Sequence, residues 1–424
     1  MTMVGGISMI ASEKIKEVVA SYLPNFIKDL EKMTNIDSGN GDAEGTDAVA
    51  KLVGEKFEAL GGKVEYRKNS RATHTIVRFQ GNGSLRLLMI AHVDTVFQKG
   101  EAQKRPFRMD DNMMAYGPGV GDDKATVVQT IYSMQALKDL NFTDFKEIIL
   151  FYSGEEEGGS PTAEAIVAEL AQQVDMCIVM DTARPNWGIV TKRKGSANYE
   201  IQVEGIAGHH GNASQTSANA IMELGNQISL LYKLASPLPS DPSQFAREKL
   251  KEQGIQDYGQ FTPENTINVG VIGSTNQKIN SIPKDAFAKI NVRCFSIAEQ
   301  QRLDREIKDL ANQTVVPGTK VTITGGIKTG PMEKTPQAEQ LVDIFRNIVK
   351  REYNADIVEW VSGGLTDGNR AAKYVPTIDA LGVENYDEHT DHESVDLKTA
   401  VPRTVALVCF ILEVTGNWSK ISQK

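Results

Sequence analysis

The sequence predicts an α/β protein: a mixed sheet with helices on both faces, and a second, smaller β-α-β-β-α-β domain inserted into it. Three observations carry that expectation. Apolar strand-like runs such as Leu85–Ile90 alternate with segments of helical periodicity. After about residue 193 the strands switch to an apolar–polar alternation, which fits a sheet with one wet face. After about residue 328 the helix–strand alternation returns. The chain is therefore expected to form a first domain in two pieces, 1–193 and 328–424, around an inserted domain, 194–327.

Each element follows from its own pattern. Ile15, Val18, Val19, Tyr22, Leu23, Ile27, Leu30 and Met33 predict helix over 12–34. Val49, Leu52, Val53, Phe57 and Leu60 predict another over 46–60, with Gly61-Gly62 ending it as a C-cap. Strands are expected at 63–67, 73–79, 85–90, 147–152 and 176–180, and helices at 125–140 and 162–173. His74 reads as a strand-surface residue. In the inserted domain strands are expected at 196–204, 266–272, 286–295 and 320–327, with helices at 218–234 and 297–313, in split-βαβ order. Residues 236–263 carry four prolines and a charged stretch and read as an insertion with one short helix. The closing part is expected to hold helices at 337–352, 367–373 and 397–414, and strands at 356–361 and 377–380.

Composition limits the function classes. The chain has 424 residues, 40% hydrophobic and 24% charged, so it can bury a sizeable core without disulfides. Its net charge of −9 disfavours nucleic acid and anionic membrane as partners, because phosphate binding needs a basic field. The three cysteines are far apart in sequence, without C-x-x-C spacing, and read as core or strand residues of a reducing compartment. With no basic leader and no apolar run of membrane length, the expected location is cytoplasmic.

Chemistry-bearing residues gather where strands end, the usual place for ligands in open α/β sheets. His92 and Asp94 follow the strand 85–90. Their H-x-D spacing lets one imidazole nitrogen take a metal while the carboxylate orients the ring through the other. Gly117-Pro-Gly-Val-Gly-Asp122-Asp123-Lys124 opens a helix with adjacent acids, and Asp122 can bridge two cations. A phosphate loop fits poorly, because the Gly-Lys-Ser/Thr ending is absent. Gly154-Glu155-Glu156-Glu157-Gly158 puts three carboxylates side by side, a repulsion that a cation or solvent must relieve. One of them suits a metal ligand and its neighbour a general base. Asp181 ends the strand 176–180, and Glu388-His389-Thr390-Asp391-His392-Glu393 holds two of only six histidines. Each segment alone also fits a structural role, as an N-cap, an acidic turn or a strand end. Together they describe a two-metal hydrolytic site with zinc, cobalt or manganese as the fitting ions. Serine and cysteine hydrolases are disfavoured, since there is no G-x-S-x-G and no cysteine beside a base.

The ordered set H-x-D-T-V, G-P-G-x-x-D-D-K and E-E-x-G, with the C-terminal His segment and the inserted domain, resembles the M20 metallopeptidase family over nearly the whole chain. It is most similar to the glutamate carboxypeptidase-like branch. The resemblance implies a di-zinc exopeptidase-type fold with a ferredoxin-like lid and dimerisation domain. It also implies carboxypeptidase-like hydrolysis of an amide next to a free carboxylate, in a peptide or N-acyl amino acid, by a homodimer joined through the lid. The alternatives are an N-acyl amino acid deacylase or dipeptidase and, from another class, a catalytically silent metal-binding protein on the same scaffold. Carried over by residue, His92, Asp122, Glu156, Asp181 and His389 hold two divalent metals, with Asp122 bridging. Glu155 is the general base and Asp94 orients His92. His209, in Gly208-His209-His210-Gly211, stabilises the oxyanion. Asn280, Arg293 and Gly364 bind substrate. The family usually has Asp before its Glu-Glu pair where this chain has Gly154. The register among Glu155, Glu156 and Glu157 is therefore open by one, and His392 competes with His389.

Overall fold

The structure, a computed structural model, describes residues 12–211, 216–235 and 264–421. The expected 236–263 insertion lies outside the described residues. Contacts divide the chain into two compact units. One is Met1–Thr191, Lys334–Trp360 and Thr366–Lys424; the other is Lys192–Glu333 with Val361–Leu365.

The first unit is built on a six-stranded mixed sheet. Its order is Lys63–Lys68, Thr73–Gln80, Glu147–Ser153, Arg86–His92, Met176–Val179 and Thr377–Ile378. Arg86–His92 runs parallel to both neighbours, whereas Thr73–Gln80 pairs antiparallel with Glu147–Ser153. The apolar runs supply both faces, because successive side chains point to opposite sides. Leu87, Met89, Ile148, Leu150 and Ile178 enter one core, and Leu88, Ile90, Ile149, Phe151 and Cys177 enter the other. The expected first helix is broken in two, Ser12–Ala20 and Leu23–Thr34. Pro24 explains the break: it has no N–H to donate to the preceding turn, yet it suits the first turn of a new helix. Asp42 caps Ala43–Leu60 by accepting from the Gly45 N–H at 3.0 Å.

Two features of this unit depart from the sequence expectation. The C-terminal helix runs Ala400–Ile421, beyond the expected end, and its stretch Ala400–Ser419 is long and apolar enough to cross a membrane. That stretch is 67% buried, and Leu407, Val408, Phe410 and Ile411 lie within the core, so here it serves as a core helix. The second feature is a small four-stranded sheet ordered Asn385–Tyr386, Ser394–Asp396, Met114–Tyr116, Arg108–Met109. Its strands are too short to show a period.

The second unit is an antiparallel sheet ordered Asn265–Gly273, Asp285–Cys294, Gly195–Glu204 and Lys320–Thr329. Tyr199, Ile201, Val203, Ala288, Ile290 and Val292 form a core with Leu224 and Leu231 of the helix Ala220–Leu234 and Leu303 and Ile307 of the helix Ile297–Asp309. Asn219 and Ser296 cap those helices, accepting from the N–H groups of Met222 and Glu299, each at 3.1 Å. The three cysteines are buried and free.

One buried cation ties the C-terminal helix to the first unit. Arg403 is 1% exposed; it donates to Glu384 Oε1 at 3.0 Å and to the carbonyl of Arg184 at 2.9 Å, and its guanidinium lies 5.1 Å from the Trp187 ring centre. Removing it strands the Glu384 carboxylate away from water. Arg403→Ala is therefore expected to lower unfolding free energy by about 3–5 kcal/mol in urea titrations.

Candidate metal centre

Four segments at the carboxyl end of the main sheet converge. His92 is the last residue of its strand and is 4% exposed. Its Nδ1 donates to the carbonyl of Asp94 at 3.0 Å, which turns Nε2 toward Asp122 Oδ1 at 2.9 Å. Asp94 thus fixes the ring through its main chain. Its carboxylate lies 3.5 Å from Nδ1 and is engaged elsewhere. It accepts from the N–H groups of Glu156 at 2.9 Å and Glu157 at 3.1 Å and from Asn40 at 3.2 Å. One strand-end acid therefore holds the acidic loop.

Asp122 follows the glycine-rich turn. Its Oδ1 meets His92, and its Oδ2 meets Nε2 of His389 at 2.9 Å. His389 Nε2 also lies 3.2 Å from Glu157 Oε1. His92, Asp122 and Glu157 offer ligand atoms within 4.8 Å of one another. His389 sits between the paired strands Asn385–Tyr386 and Ser394–Asp396, and the latter pairs with Met114–Tyr116, just before the Asp122 turn. The small sheet thereby registers His389 against Asp122. Glu393, four residues on, accepts from the backbone N–H groups of Gly119, Gly121 and Asp122 at 3.2, 2.9 and 3.0 Å. Burial and the nearby Asp122 push its carboxyl up to about 7, against those hydrogen bonds.

Glu155 does not join the cluster. It is fully buried, and its Oε1 accepts from the Thr162 N–H, from Thr162 Oγ1 at 2.8 Å and from the Ala163 N–H at 2.8 Å. That is the start of the helix Ala163–Ala171, where unpaired N–H groups and the helix dipole favour an anion. Burial pushes the Glu155 carboxyl up, but these hydrogen bonds outweigh it and hold it below the usual glutamate value. His74, read from sequence as a strand-surface residue, is 1% exposed. Its Nε2 lies 3.0 Å from Thr162 Oγ1, and its Nδ1 accepts from the Gly154 N–H at 3.2 Å. Of the adjacent glutamates expected as base (Glu155) and ligand (Glu156), Glu155 meets the start of that helix, and their neighbour Glu157 lies with His389 and Asp122.

The charge of the centre decides what it can hold. Burial, together with the Asp367, Asp181 and Glu157 carboxylates, pushes Glu156 far above the usual range, with His92 opposing. Burial and Asp122 push Glu157 up, with His389 opposing. Two imidazoles do not balance so many acids. The donor set, imidazole nitrogens and carboxylate oxygens converging on a shared aspartate, suits divalent cations. Asp181 belongs to this electrostatic group, its own Oδ1 accepting from the Thr182 N–H at 2.7 Å. His392 is exposed and hydrogen-bonds through its main chain to Thr390 Oγ1 at 3.1 Å.

The remaining expected residues lie in the second unit. His209 pairs with Ser281 across the two-stranded ladder Gly208–His209 and Ser281–Ile282, next to Asn280, whose carbonyl accepts from the His210 N–H at 3.0 Å. Arg293 lies on the strand Asp285–Cys294 and donates to Asn291 Oδ1 at 3.1 Å. Gly364 donates its N–H to Ser362 Oγ at 3.1 Å.

The anchoring role of Glu155 has a pH signature. Its carboxyl is held low in the folded state, so its contribution is present above the unfolded value of about 4.3 and fades as pH falls through the folded value. Glu155→Ala is expected to cost about 2 kcal/mol at pH 7. That difference should shrink in urea titrations below pH 4.

The chain is similar to known proteins over most of its length. The profile of peptidase family M20/M25/M40 matches residues 88–413. Carboxypeptidase G2 of Pseudomonas sp. (strain RS-16) is 26% identical over 401 residues, covering 93% of this chain and 90% of that one. Succinyl-diaminopimelate desuccinylase of Rickettsia bellii (strain RML369-C) is 24% identical over 374 residues, covering 85% and 87%. Among solved structures, the aminopeptidase PepT of Bacillus cereus ATCC 10987 shares the fold with a TM-score of 0.74 at 18% identity, over 92% of this chain and 98% of that one. With a family match spanning most of the chain and a carboxylate–imidazole cluster suited to divalent ions, the chain belongs to peptidase family M20/M25/M40 and is a metal-dependent hydrolase of exopeptidase type.

Proposed function

We infer that this enzyme cleaves an amide bond next to a free carboxylate, as a carboxypeptidase, with two zinc ions as its metals. The observation that carries the two-metal reading is Asp122, whose two oxygens each meet a different imidazole. His92 and Asp181 would hold one ion, Glu157 and His389 the other, and Asp122 both. Bound there, such ions supply Lewis acidity and lower the pKa of a shared water.

The protein's own residues do the rest. Glu156 takes the proton of the attacking water and later delivers it to the leaving nitrogen. This moves both acidic roles one residue along from the sequence expectation, because Glu155 is committed to the helix start. Asp94 keeps Glu156 and Glu157 aimed by accepting from their main-chain N–H groups. The assignments of His209 to the oxyanion, and of Asn280, Arg293 and Gly364 to the substrate, rest on the family resemblance. So do a homodimer joined through the second unit and a cytoplasmic location. The exposed Val271 and Ile272 on the edge strand Asn265–Gly273 support the dimer.

A second reading, hydrolysis of N-acyl amino acids, is favoured by the desuccinylase relative, whose name specifies an acyl group other than a peptide. Assay of C-terminal glutamate peptides, N-acyl amino acids and dipeptides with zinc, cobalt or manganese separates the two. The carboxypeptidase reading expects the highest kcat/KM on the C-terminal glutamate peptides; a higher kcat/KM on N-acyl amino acids would favour the second reading, and equal turnover of α-amidated peptides would overturn the first.

Two variants test the shifted register. Glu156→Gln should retain both metals by elemental analysis and lose about three orders of magnitude in kcat. Glu157→Ala should bind one metal fewer than the native chain. If Glu155→Gln instead reproduces the Glu156→Gln profile, the register is the original one.

A further inference from the structure

Two of the ligand segments, one beginning at Asp181 and the other carrying His389, are joined by an ion pair between Arg184 and Glu388. Glu388 immediately precedes His389. Nη1 of Arg184 donates to both of its oxygens, at 3.0 and 3.1 Å. Thr182 Oγ1 donates to Oε2 at 3.0 Å, and Asn385 Nδ2 approaches the same oxygen at 3.3 Å. Thr182 and Arg184 belong to the segment that begins at Asp181. One carboxylate therefore receives donors from the Asp181 segment and from its own hairpin.

The hairpin tip needs such an anchor. Asp387 and His389 both have left-handed backbones, with φ of 54° and 65°, and neither is glycine. His389's side chain is 51% exposed, so packing does not hold it. On its far side the tip is fixed by Glu393 on the Gly119–Asp122 backbone. On its near side a main-chain bridge aligns Ala183 with Glu384, five residues short of His389. Glu388 extends that alignment to the residue before the ligand. Arg184 also neutralises it, so the anchor adds no net negative charge beside a centre already rich in carboxylates.

We propose that Glu388 and Arg184 form a positioning strut that holds His389 in register with the Asp181 segment, so that the second metal meets a preformed set of ligands. The proposal rests on the two-metal reading above. Neither residue touches the reacting atoms; both act through His389 and Asp181.

The test is stepwise zinc binding to the full chain, by competition with a chromophoric chelator. Native protein should bind two ions. Glu388→Ala should bind the first as the native chain does and the second about tenfold to a hundredfold more weakly, the usual effect of losing a partner behind a metal ligand. Glu388→Gln, which keeps an acceptor oxygen, should recover most of the loss. Arg184→Ala should match Glu388→Ala, and the double variant should lose no more than either single one, since the two act as a unit. At saturating zinc Glu388→Ala should regain kcat to within about threefold with KM unchanged, which a misfolded variant would not do. If Glu388→Ala fails to fold, Glu388→Gln and Arg184→Ala decide alone. Native affinity for both ions in all single variants, or additive losses in the double variant, overturns the strut. Fewer than two ions on the native chain overturns the two-metal reading and the strut with it.

Discussion

The structure turns on the way one buried aspartate is shared. Asp122 is 7% exposed and faces two imidazoles that are far apart in the chain, His92 and His389. A carboxylate in that position cannot be satisfied by solvent, and its neighbours Asp123, Glu156 and Glu157 are acids too. Burial alone would drive such a group out of its charged form. The site exists because a second set of acids takes the surrounding backbone donors and fixes in place the segments that carry the first. Asp94 receives two N–H groups of the acidic loop, Glu155 receives the helix start, and Glu393 receives three N–H groups of the glycine turn. The acids that anchor are thereby separated from those that face the centre.

That division explains how much the sequence discloses. The main sheet is legible because its central strands, Arg86–His92, Glu147–Ser153 and Met176–Val179, are buried on both faces and read as continuous apolar runs. The second unit is legible because its strands alternate. His92 is legible because it ends an apolar strand, and Asp122 because it lies between a glycine turn and a helix start. The division of labour among Glu155, Glu156 and Glu157 is not, because identical side chains carry no signal of direction. What turns Glu155 away is Thr162 and Ala163, seven and eight residues further on, together with His74 on another strand. His74 itself reads as a surface residue because its strand has one wet edge in pattern alone. The structure buries it against Phe151, ring centres 5.9 Å apart.

The small sheet is illegible for a different reason. Strands of two or three residues have no period to detect, and their register depends on partners from opposite ends of the chain. Yet this sheet sets His389 opposite Asp122. The Glu388–Arg184 pair is hidden in the same way, since a carboxylate beside a histidine in an acidic run reads as solvated charge until its partner is seen. In both cases the missing information is long-range pairing.

The late position of the His389 hairpin in the chain bears on how the protein is made. During synthesis the segments holding His92, Asp122, Glu157 and Asp181 leave the ribosome long before residues 384–396, with the whole second unit between them. The main sheet lacks its last strand, Thr377–Ile378, for the same interval. Until then a cluster of acids waits without its second imidazole and without the Glu393 clamp on the glycine turn. Contacts of such sequence separation are slow to form and leave partly built intermediates exposed. Sheet, core and centre all wait on the same final stretch, because Thr377–Ile378, the His389 hairpin and the core helix Ala400–Ile421 lie within it.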